Sequence, residues 1–298
     1  RLDAVPHLVE GSARDWNDQP ESRRITRGLA DLIRSYPQRM VVCEATAQPR
    51  AWGDPEVCGG AFAFGYVHHF LDAARGKASA VAELARFFRE TPATMATFLS
   101  SHDLFAGHRT WDQLRGDEQA YRLAAAAYLL QPGTPYLYYG EEIGQAGLPG
   151  LRGDEPVRGP MSWTADPRTG GFTRGTPFRA VAPNVATHNV QAQRQDPGSL
   201  LNHYKTLIAL RNSRASIARG SFEQSFAQDL LLGFVRRLGE ERTWVLINFG
   251  NTPQTVARPP LPAGTGWRAL YPREAEPPAA DGPLVVPPRS LRVWAMDR

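Results

Sequence analysis

Apolar residues recur along the first two thirds of the chain with a spacing that alternates between helical and extended. Short apolar runs, each long enough for one strand, stand between segments that repeat every three to four residues. The runs are Met40–Cys43, Phe62–Tyr66, Thr97–Ser100 and Tyr136–Gly140. The helical segments are Ser22–Tyr36, Lys77–Glu90, one that Asp117 caps and one that begins at Asp196–Pro197. This alternation predicts a strand and helix repeat around a parallel sheet.

The pattern changes near residue 216. Beyond it, short alternating runs such as Leu230–Val235, Thr243–Asn248 and Ser290–Met296 are separated by glycine and proline, which predicts a small all-β domain. We therefore predict two domains, at residues 1–215 and 216–298. The stretch 147–183 is rich in Gly, Pro, Arg and Asp and has little periodicity, so it is predicted to be a long loop.

Composition excludes several classes of protein. The 298 residues are 42% hydrophobic, which is ample for a packed core, and the formal net charge is +4. No basic cluster is interleaved with aromatic residues, so we expect no nucleic-acid partner. No apolar run approaches eighteen residues, so we expect no membrane span.

Cys43 and Cys58 are the only cysteines. They are too few for a disulfide framework and are not at metal-ligand spacing. We predict two buried thiols, with a bridge between them as the alternative.

Arg1 precedes Asp3 by two residues, and this spacing places both side chains on one face of an extended segment. The cation keeps such a carboxylate ionised and oriented, which suits a nucleophile. An ordinary surface salt bridge is the alternative interpretation.

Two more carboxyls follow apolar runs. Glu44 comes directly after Met40–Cys43, where partial burial would raise its pKa and suit it to act as an acid, and Asp103 follows Thr97–Ser100 together with His102. Three carboxyls at the carboxyl ends of successive strands are typical of a barrel active site.

Four motifs carry a family resemblance that extends over essentially the whole chain. The stretches RLDAVPH at 1–7, VVCEA at 41–45, FLSSHD at 98–103 and PGTPYLYYGEEIG at 132–144, in this order, resemble the α-amylase superfamily, glycoside hydrolase family thirteen. The resemblance implies an α/β fold: the second half of a (β/α)8 TIM barrel, from the end of strand four onward, followed by a small all-β sandwich domain.

The resemblance also implies roles for individual residues. Asp3 would be the nucleophile, Glu44 the general acid and base, and Asp103 the third carboxylate, which stabilises the transition state. Arg1, His7 and His102 would bind substrate or orient the carboxylates, and no metal ligand is identified. Ser101 departs from the asparagine that usually precedes the His-Asp pair.

The implied activity is that of a retaining glycoside hydrolase. It would cleave α-glucosidic bonds, mainly α-1,4, in starch-like glucans or malto-oligosaccharides by double displacement. The segment Arg158–Trp163, with Gly171–Thr173, resembles one found in oligosaccharide-acting members and in some related α-amylases, and it favours short α-glucans. One alternative is an α-glucosyl transferase on the same scaffold, and another is a non-catalytic binding relative. Trp52 is interpreted either as a sugar-stacking residue or as a packing residue.

Family members carry further barrel strands before the position of Arg1. We therefore expect this stretch to be the C-terminal part of a longer polypeptide, or to pair with a second chain that supplies the missing N-terminal half of the barrel, and to be inactive or to aggregate by itself. No cofactor is required for the chemistry, and the usual ligands of the family's structural calcium would lie mostly before Arg1. We expect a bacterial source, with cytoplasmic and secreted or periplasmic locations both open.

Overall fold

The computed structural model describes residues 1–259, 265–275 and 283–297. The helices are α1 (Pro20–Arg34), α2 (Pro49–Trp52), α3 (His68–Ala74), α4 (Ala78–Glu90), α5 (Thr110–Gln113), α6 (Glu118–Leu130), α7 (Val190–Arg194), α8 (Leu200–Ser213) and α9 (Ala215–Arg219). The strands are β1 (Ala61–Phe62), β2 (Met95–Thr97), β3 (Thr134–Pro135), β4 (Ser221–Gln228), β5 (Leu231–Leu238), β6 (Glu241–Asn248), β7 (Gln254–Val256), β8 (Gly266–Tyr271), β9 (Leu284–Val286) and β10 (Ser290–Asp297). Within these residues no helix combines the length and the apolar character needed to span a bilayer.

The chain folds into two compact units. The first contains residues 1–68, 90–98 and 133–136, and the second contains residues 69–89, 99–132 and 137–298. The first unit is built on parallel strands, whereas the second holds most of the helices and the antiparallel sheet.

The parallel sheet of the first unit has five neighbouring segments in chain order. Leu2 pairs in parallel with Cys43, Cys43 pairs with Ala61, and β1, β2 and β3 follow as successive parallel neighbours. The segments around Leu2 and Cys43 are held by backbone bonds from Leu2 N to Val42 O at 2.9 Å and from Glu44 N to Leu2 O at 2.8 Å. This is the predicted strand order of a (β/α)8 barrel portion, because consecutive parallel strands of a barrel are neighbours in chain order.

Helix α1 lies in the same unit and has an unusual distribution of apolar residues. Pro20 occupies its first turn, where a missing backbone donor has no cost. The buried positions are the small residues Ser22, Thr26 and Ala30, whereas Ile25, Leu29 and Leu32 are exposed. The predicted apolar stripe therefore exists, but in this chain it faces solvent.

Helices α4 and α6 of the second unit confirm their sequence patterns. In α4 the aligned residues Val81, Leu84 and Phe88 are buried. Asp117 caps α6, since its carboxylate accepts a hydrogen bond from Ala120 N at 3.0 Å. Helix α8 differs from the prediction, because Ser199 is its N-cap in place of Asp196 and accepts from Asn202 N at 3.2 Å.

The antiparallel sheet has the strand order β4-β5-β6-β10-β8, and β7 pairs separately with β9. Trp244 of β6 is directly opposite Trp294 of β10, and their rings lie 5.2 Å apart. With Trp267 they form the centre of a buried core to which β7 and β9 contribute Val256 and Val286. Burial of each such large apolar side chain stabilises the fold by about 1.5–3 kcal/mol.

The observed architecture is part of a TIM barrel followed by a small all-β sandwich. The observed strands are displaced toward the N-terminus of the predicted runs. Strand β1 overlaps Phe62–Tyr66 only at Phe62, β2 overlaps Thr97–Ser100 only at Thr97, and β3 ends before the predicted run Tyr136–Gly140 begins. Gly65, with a φ of 82°, turns the backbone soon after β1. The domain boundary between residues 215 and 216 stays a prediction. Within the predicted C-terminal domain, residues 260–264, 276–282 and 298 lie outside the described residues.

Candidate active site

Arg1 joins the first two candidate carboxylates. Its Nη1 lies 2.7 Å from Asp3 Oδ1 and its Nη2 lies 2.5 Å from Glu44 Oε2. Both acids contact one guanidinium because Leu2 pairs in parallel with Cys43. Asp3 and Glu44 directly follow these two positions, so both lie at the edge of the sheet where the neighbouring strands end. Ala4 N also donates to Glu44 Oε2, at 3.3 Å. The pairing of Arg1 with Asp3 is as predicted, and the second contact to Glu44 is new.

Asp3 and Glu44 differ sharply in exposure. The side chain of Asp3 is 73% exposed, whereas that of Glu44 is 9% exposed. Burial, followed by a hydrogen bond with Asp3, raises the pKa of Glu44 despite the opposing charge of Arg1. A carboxyl with a raised pKa keeps its proton to higher pH, which suits an acid.

The segment that carries Glu44 is covalently cross-linked. Cys43 and Cys58 form a disulfide with 6.4 Å between their Cα atoms, so the prediction of two buried thiols is wrong. The cysteines lie on neighbouring segments, since Cys43 N donates to Gly60 O at 2.8 Å. The bridge therefore ties the residue before Glu44 to the loop that enters β1.

His7 lies in a short 3-10 helix, Val5–His7, that follows the Asp3 segment. Its ring stacks on Trp16 with 4.9 Å between centroids. Trp52 is fully buried, and its Nε1 donates to Asp18 Oδ1 at 2.9 Å, which favours the packing interpretation over sugar stacking. The assignment of His7 to a substrate sugar stays a prediction.

The third candidate carboxylate belongs to a separate cluster in the second unit. Asp103 Oδ2 lies 3.2 Å from His102 Nε2, and its Oδ1 accepts from Arg158 Nη2 at 3.0 Å. Arg158 also donates to the carbonyl oxygen of His102 at 2.8 Å and to Asp154 at 2.9 Å. Asp154 in turn accepts from Leu104 N at 2.8 Å. These bonds fix the backbone and the carboxylate of Asp103 together.

Five of the six predicted site residues thus form two groups. Arg1, Asp3 and Glu44 contact one another in the first unit, and His102 and Asp103 contact each other in the second. That all three carboxylates act on one substrate stays a prediction. Sequence reasoning noted Arg158 only as part of a motif and missed its contact with Asp103, which lies 55 residues away and has no local signal.

Glu141 is a further buried carboxyl, which opens a short 3-10 helix after β3. Tyr128 and Tyr204 donate to its Oε1 at 2.6 and 2.9 Å, and Ser100 donates to its Oε2 at 3.4 Å. Burial raises the pKa of Glu141 to about 7, against the effect of the two tyrosine hydrogen bonds. With its carboxylate surrounded by side chains, Glu141 serves packing and not substrate contact.

The described part of the chain contains no group of three or more His, Cys, Asp or Glu side chains that would hold a metal ion. That the usual calcium ligands lie mostly before Arg1 stays a prediction.

Comparison with known proteins identifies the family. The model of the α-amylase catalytic domain matches residues 1–220. Trehalose synthase/amylase TreS of Mycobacterium tuberculosis strain H37Rv is 28% identical over 309 residues, covering 86% of this chain and 51% of that protein. A probable oligo-1,6-glucosidase 2 of Bacillus subtilis strain 168 is 30% identical over 223 residues, covering 61% of this chain and 39% of that protein. The chain spans about half the length of the trehalose synthase/amylase it matches.

Solved structures agree on the fold. The trehalose-6-phosphate hydrolase of Bacillus licheniformis matches with a TM-score of 0.74 at 19% identity, covering 100% of this chain and 65% of that one. An α-amylase from H. orenii matches with a TM-score of 0.77 at 23% identity, covering 100% and 60%. At these identities the likeness concerns the fold, whereas the family match rests on the sequence itself. The chain belongs to the α-amylase family, glycoside hydrolase family thirteen.

Proposed function

We propose that this chain carries the catalytic carboxylates of a retaining glycoside hydrolase that cleaves α-glucosidic bonds, mainly α-1,4, in starch-like glucans or malto-oligosaccharides. The observation that carries the proposal is the single guanidinium of Arg1 that contacts both Asp3 and Glu44. Two carboxylates on one cation are close neighbours, and retaining glycosidases hold their pair only about 5 Å apart.

The proposed reaction has two displacements. Asp3 attacks the anomeric carbon while Glu44 transfers its proton to the departing glycosidic oxygen, which gives a covalent glycosyl-enzyme. Glu44, now ionised, then removes a proton from water, and the water oxygen displaces Asp3. Asp103 stabilises the cationic transition state, with Arg158 and His102 fixing its position.

The raised pKa of Glu44 supports the role of acid for Glu44 and that of nucleophile for Asp3. A general acid must hold its proton at the working pH, and burial favours the protonated form of Glu44. Asp3 is exposed and paired with Arg1, so the cation favours its ionised form.

Transfer to a sugar hydroxyl is a second candidate function, favoured by the trehalose synthases among the relatives. In that case an acceptor hydroxyl replaces water in the second displacement, and the same three carboxylates serve. Product analysis with and without added glucose or maltose distinguishes the two, because a transferase gives new disaccharides from glucose and new trisaccharides from maltose, in proportion to acceptor.

We also propose that further barrel strands, from the same or a second polypeptide, complete the sheet. Two features support this. The sheet order places the Leu2 segment and β3 at the edges, and the apolar residues Ile25, Leu29 and Leu32 of α1 are exposed. The intact mass of the active material tests the proposal, since it should be well above the 32.9 kDa of this chain or include a second polypeptide.

Asp3→Asn tests the catalytic proposal directly. We expect hydrolysis of p-nitrophenyl α-glucoside and of soluble starch to fall at least about a thousandfold, because an amide is not a nucleophile at the anomeric carbon. The control is Asp31→Asn, which changes an exposed carboxylate on α1 and should retain wild-type activity. Both variants are made in the protein with its barrel complete. Retained activity in Asp3→Asn would overturn the nucleophile assignment, and activity in neither the variant nor the wild-type complete protein would favour a non-catalytic relative.

A further inference from the structure

Arg109 is almost completely buried, with 1% of its surface exposed, and its guanidinium lies against two neighbouring tyrosines. Its Cζ is 4.3 Å from the centre of the Tyr138 ring and 4.7 Å from that of the Tyr139 ring, and its Nη1 donates to the carbonyl oxygen of Tyr139. We propose that Arg109 is a positioning residue, which holds the two tyrosines and through them keeps Arg158 bonded to Asp103. The inference rests on the proposed function, in which Asp103 stabilises the transition state.

The two tyrosines hold the backbone on either side of Arg158. The hydroxyl of Tyr138 donates to Val157 O at 3.1 Å, and that of Tyr139 donates to Gly159 O at 2.6 Å. Arg158 stands between these two carbonyl groups, and its guanidinium bonds the third candidate carboxylate at 3.0 Å. A shift of the two rings would therefore move the peptide groups that carry Arg158.

These contacts form a closed ring within the second unit. Asp103 and Arg109 lie at the two ends of one short segment, residues 103–109. Arg158 bonds the first end, and the last residue bonds Tyr139, whose hydroxyl holds Gly159 next to Arg158. A segment that is fixed at both ends leaves its carboxylate few alternative positions. Loss of the guanidinium would free one end of the segment and loosen the tyrosine that supports the other.

The environment of Arg109 is unfavourable for a residue that serves packing alone. Its Nε and Nη2 atoms are buried, and in the described part of the chain neither has a hydrogen-bond partner. Buried donors without acceptors destabilise a fold, and the faces of two aromatic rings compensate only part of that cost. An apolar side chain would fill the same space without this cost. What the guanidinium adds is a planar group that stacks on the rings and bonds a carbonyl oxygen at once.

Charge compensation is the alternative role for Arg109. Burial raises the pKa of three carboxyls near it, and its positive charge opposes that rise. These carboxyls are Asp112, Glu141 and Glu142. Arg109→Lys separates the two roles, because lysine keeps the charge but cannot stack a planar group on both rings.

The kinetic test compares Arg109→Met and Arg109→Lys with the wild-type protein, each with its barrel complete. We expect kcat on soluble starch to fall about tenfold in both variants and KM to stay within about twofold, because a displaced Asp103 loses a contact made in the transition state. Wild-type kcat in Arg109→Lys would show that the charge alone matters and would overturn the proposal.

Arg211→Met is the matched control. Arg211 is also a buried arginine of the second unit, and it donates to the carbonyl oxygens of Leu129 and Gln131 at 2.7 and 2.9 Å. Its loss should lower the urea midpoint and leave kcat unchanged, because these contacts lie at the end of α6 and hold no candidate carboxylate. An equal fall of kcat in this variant would show that any lost buried arginine impairs the enzyme, and would overturn the proposal.

A double-mutant cycle tests whether Arg109 acts through Arg158. Added to Arg158→Ala, the change Arg109→Met should lower kcat by less than about twofold, because the contact that it protects is already lost. A further fall of about tenfold would mean that the two residues act independently and would overturn the proposal. Tyr139→Phe provides the same cycle if the arginine variants do not fold, since it removes only the hydroxyl that bonds Gly159 O. By itself it should lower kcat about threefold.

A crystal structure of the Arg109→Met protein reports the positioning without turnover. We expect the bond between Arg158 Nη2 and Asp103 Oδ1, 3.0 Å long with Arg109 present, to be broken. An unchanged bond would overturn the proposal and leave the proposed function standing. A broken bond in the variant, together with an inactive wild-type protein, would support the hold of Arg109 on Asp103 and overturn the proposed function.

Discussion

Glu44 and Glu141 are both buried carboxyls whose pKa is raised by burial, yet their surroundings differ. Glu44 faces a cation and a second carboxylate, and its neighbour Asp3 is open to solvent. Glu141 is surrounded by the hydroxyls of Tyr128, Tyr204 and Ser100. A raised pKa therefore indicates a different role for each of the two carboxyls.

The two carboxyls differ in whether a ligand can reach them. All contacts of Glu141 are internal, so its proton contributes to the stability of the fold. Glu44 is held by Arg1 and by Ala4 N beside an exposed partner, so its proton is available to a ligand. A raised pKa is therefore a sign of function only where a reachable partner accompanies it.

The largest expected effect comes from Glu44→Gln. Loss of the general acid should lower starch hydrolysis by about 10²–10⁴-fold, because the departing sugar oxygen needs a proton. Activity on p-nitrophenyl α-glucoside should fall much less in the bond-breaking step, since p-nitrophenolate leaves without protonation. Pre-steady-state release of p-nitrophenol measures this step. Equal losses on both substrates would contradict the role of acid, and Glu141→Gln serves as the control that retains activity on both.

Removal of the disulfide should destabilise the first unit without changing the charges around Glu44. The bridge closes a loop with a sequence separation of 15, and replacing both Cys43 and Cys58 by alanine should cost about 3 kcal/mol of unfolding free energy. Urea unfolding with and without reductant measures this. A loss of unfolding free energy below about 1 kcal/mol would contradict the expectation. So would a double variant that reductant destabilises as much as it destabilises the wild-type protein.

Glu141 should make stability depend on pH. Its folded pKa of about 7 lies above the ordinary value of 4.5, so the folded state binds more protons between these values. The stabilisation that protonated Glu141 contributes is fully present below about pH 4.5 and is lost as pH rises through 7. The unfolding free energy then falls on the order of 3 kcal/mol. Glu141→Gln should flatten this part of the urea-unfolding curve measured between pH 5 and 8.

The groups facing Glu141 define the control for this prediction. Tyr121, Tyr128 and Tyr204 titrate well above the range tested, because burial raises their pKa values. Glu142 is the neighbouring acid whose pKa burial also raises. The Glu142→Gln variant should keep most of the pH dependence of the unfolding free energy. Complete loss of that pH dependence in this variant would show that the titrating proton belongs to Glu142.

The smallest effect is expected from Arg1→Lys. Lysine keeps the positive charge, but its compact ammonium cannot present two separate N–H groups to Asp3 and Glu44 in a fixed fork. Loss of one charge-assisted hydrogen bond should lower kcat about tenfold. Arg1→Met removes the charge that lowers the pKa of Glu44, so the alkaline limb of the pH–rate profile should move to higher pH in this variant and stay nearly in place in Arg1→Lys.

Local sequence patterns alone determined much of this molecule. The periodicity of Val81, Leu84 and Phe88 and the cap at Asp117 predicted α4 and α6, because helix spacing and capping depend on residues within a few positions. Alternating runs predicted β5, β6 and β10 for the same reason. The motifs around Asp3, Glu44 and Asp103 predicted the family, and the family match confirmed it.

Only the tertiary structure decided which distant residues meet. The Cys43–Cys58 bridge, the contact of Arg1 with Glu44 and the contact of Arg158 with Asp103 depend on strand neighbours and loop paths. Whether a stripe such as Ile25, Leu29 and Leu32 is buried likewise depends on what packs against it, which periodicity does not encode. Spacing fixes the face on which a side chain lies, whereas contact and burial are properties of the assembled strands and helices around it.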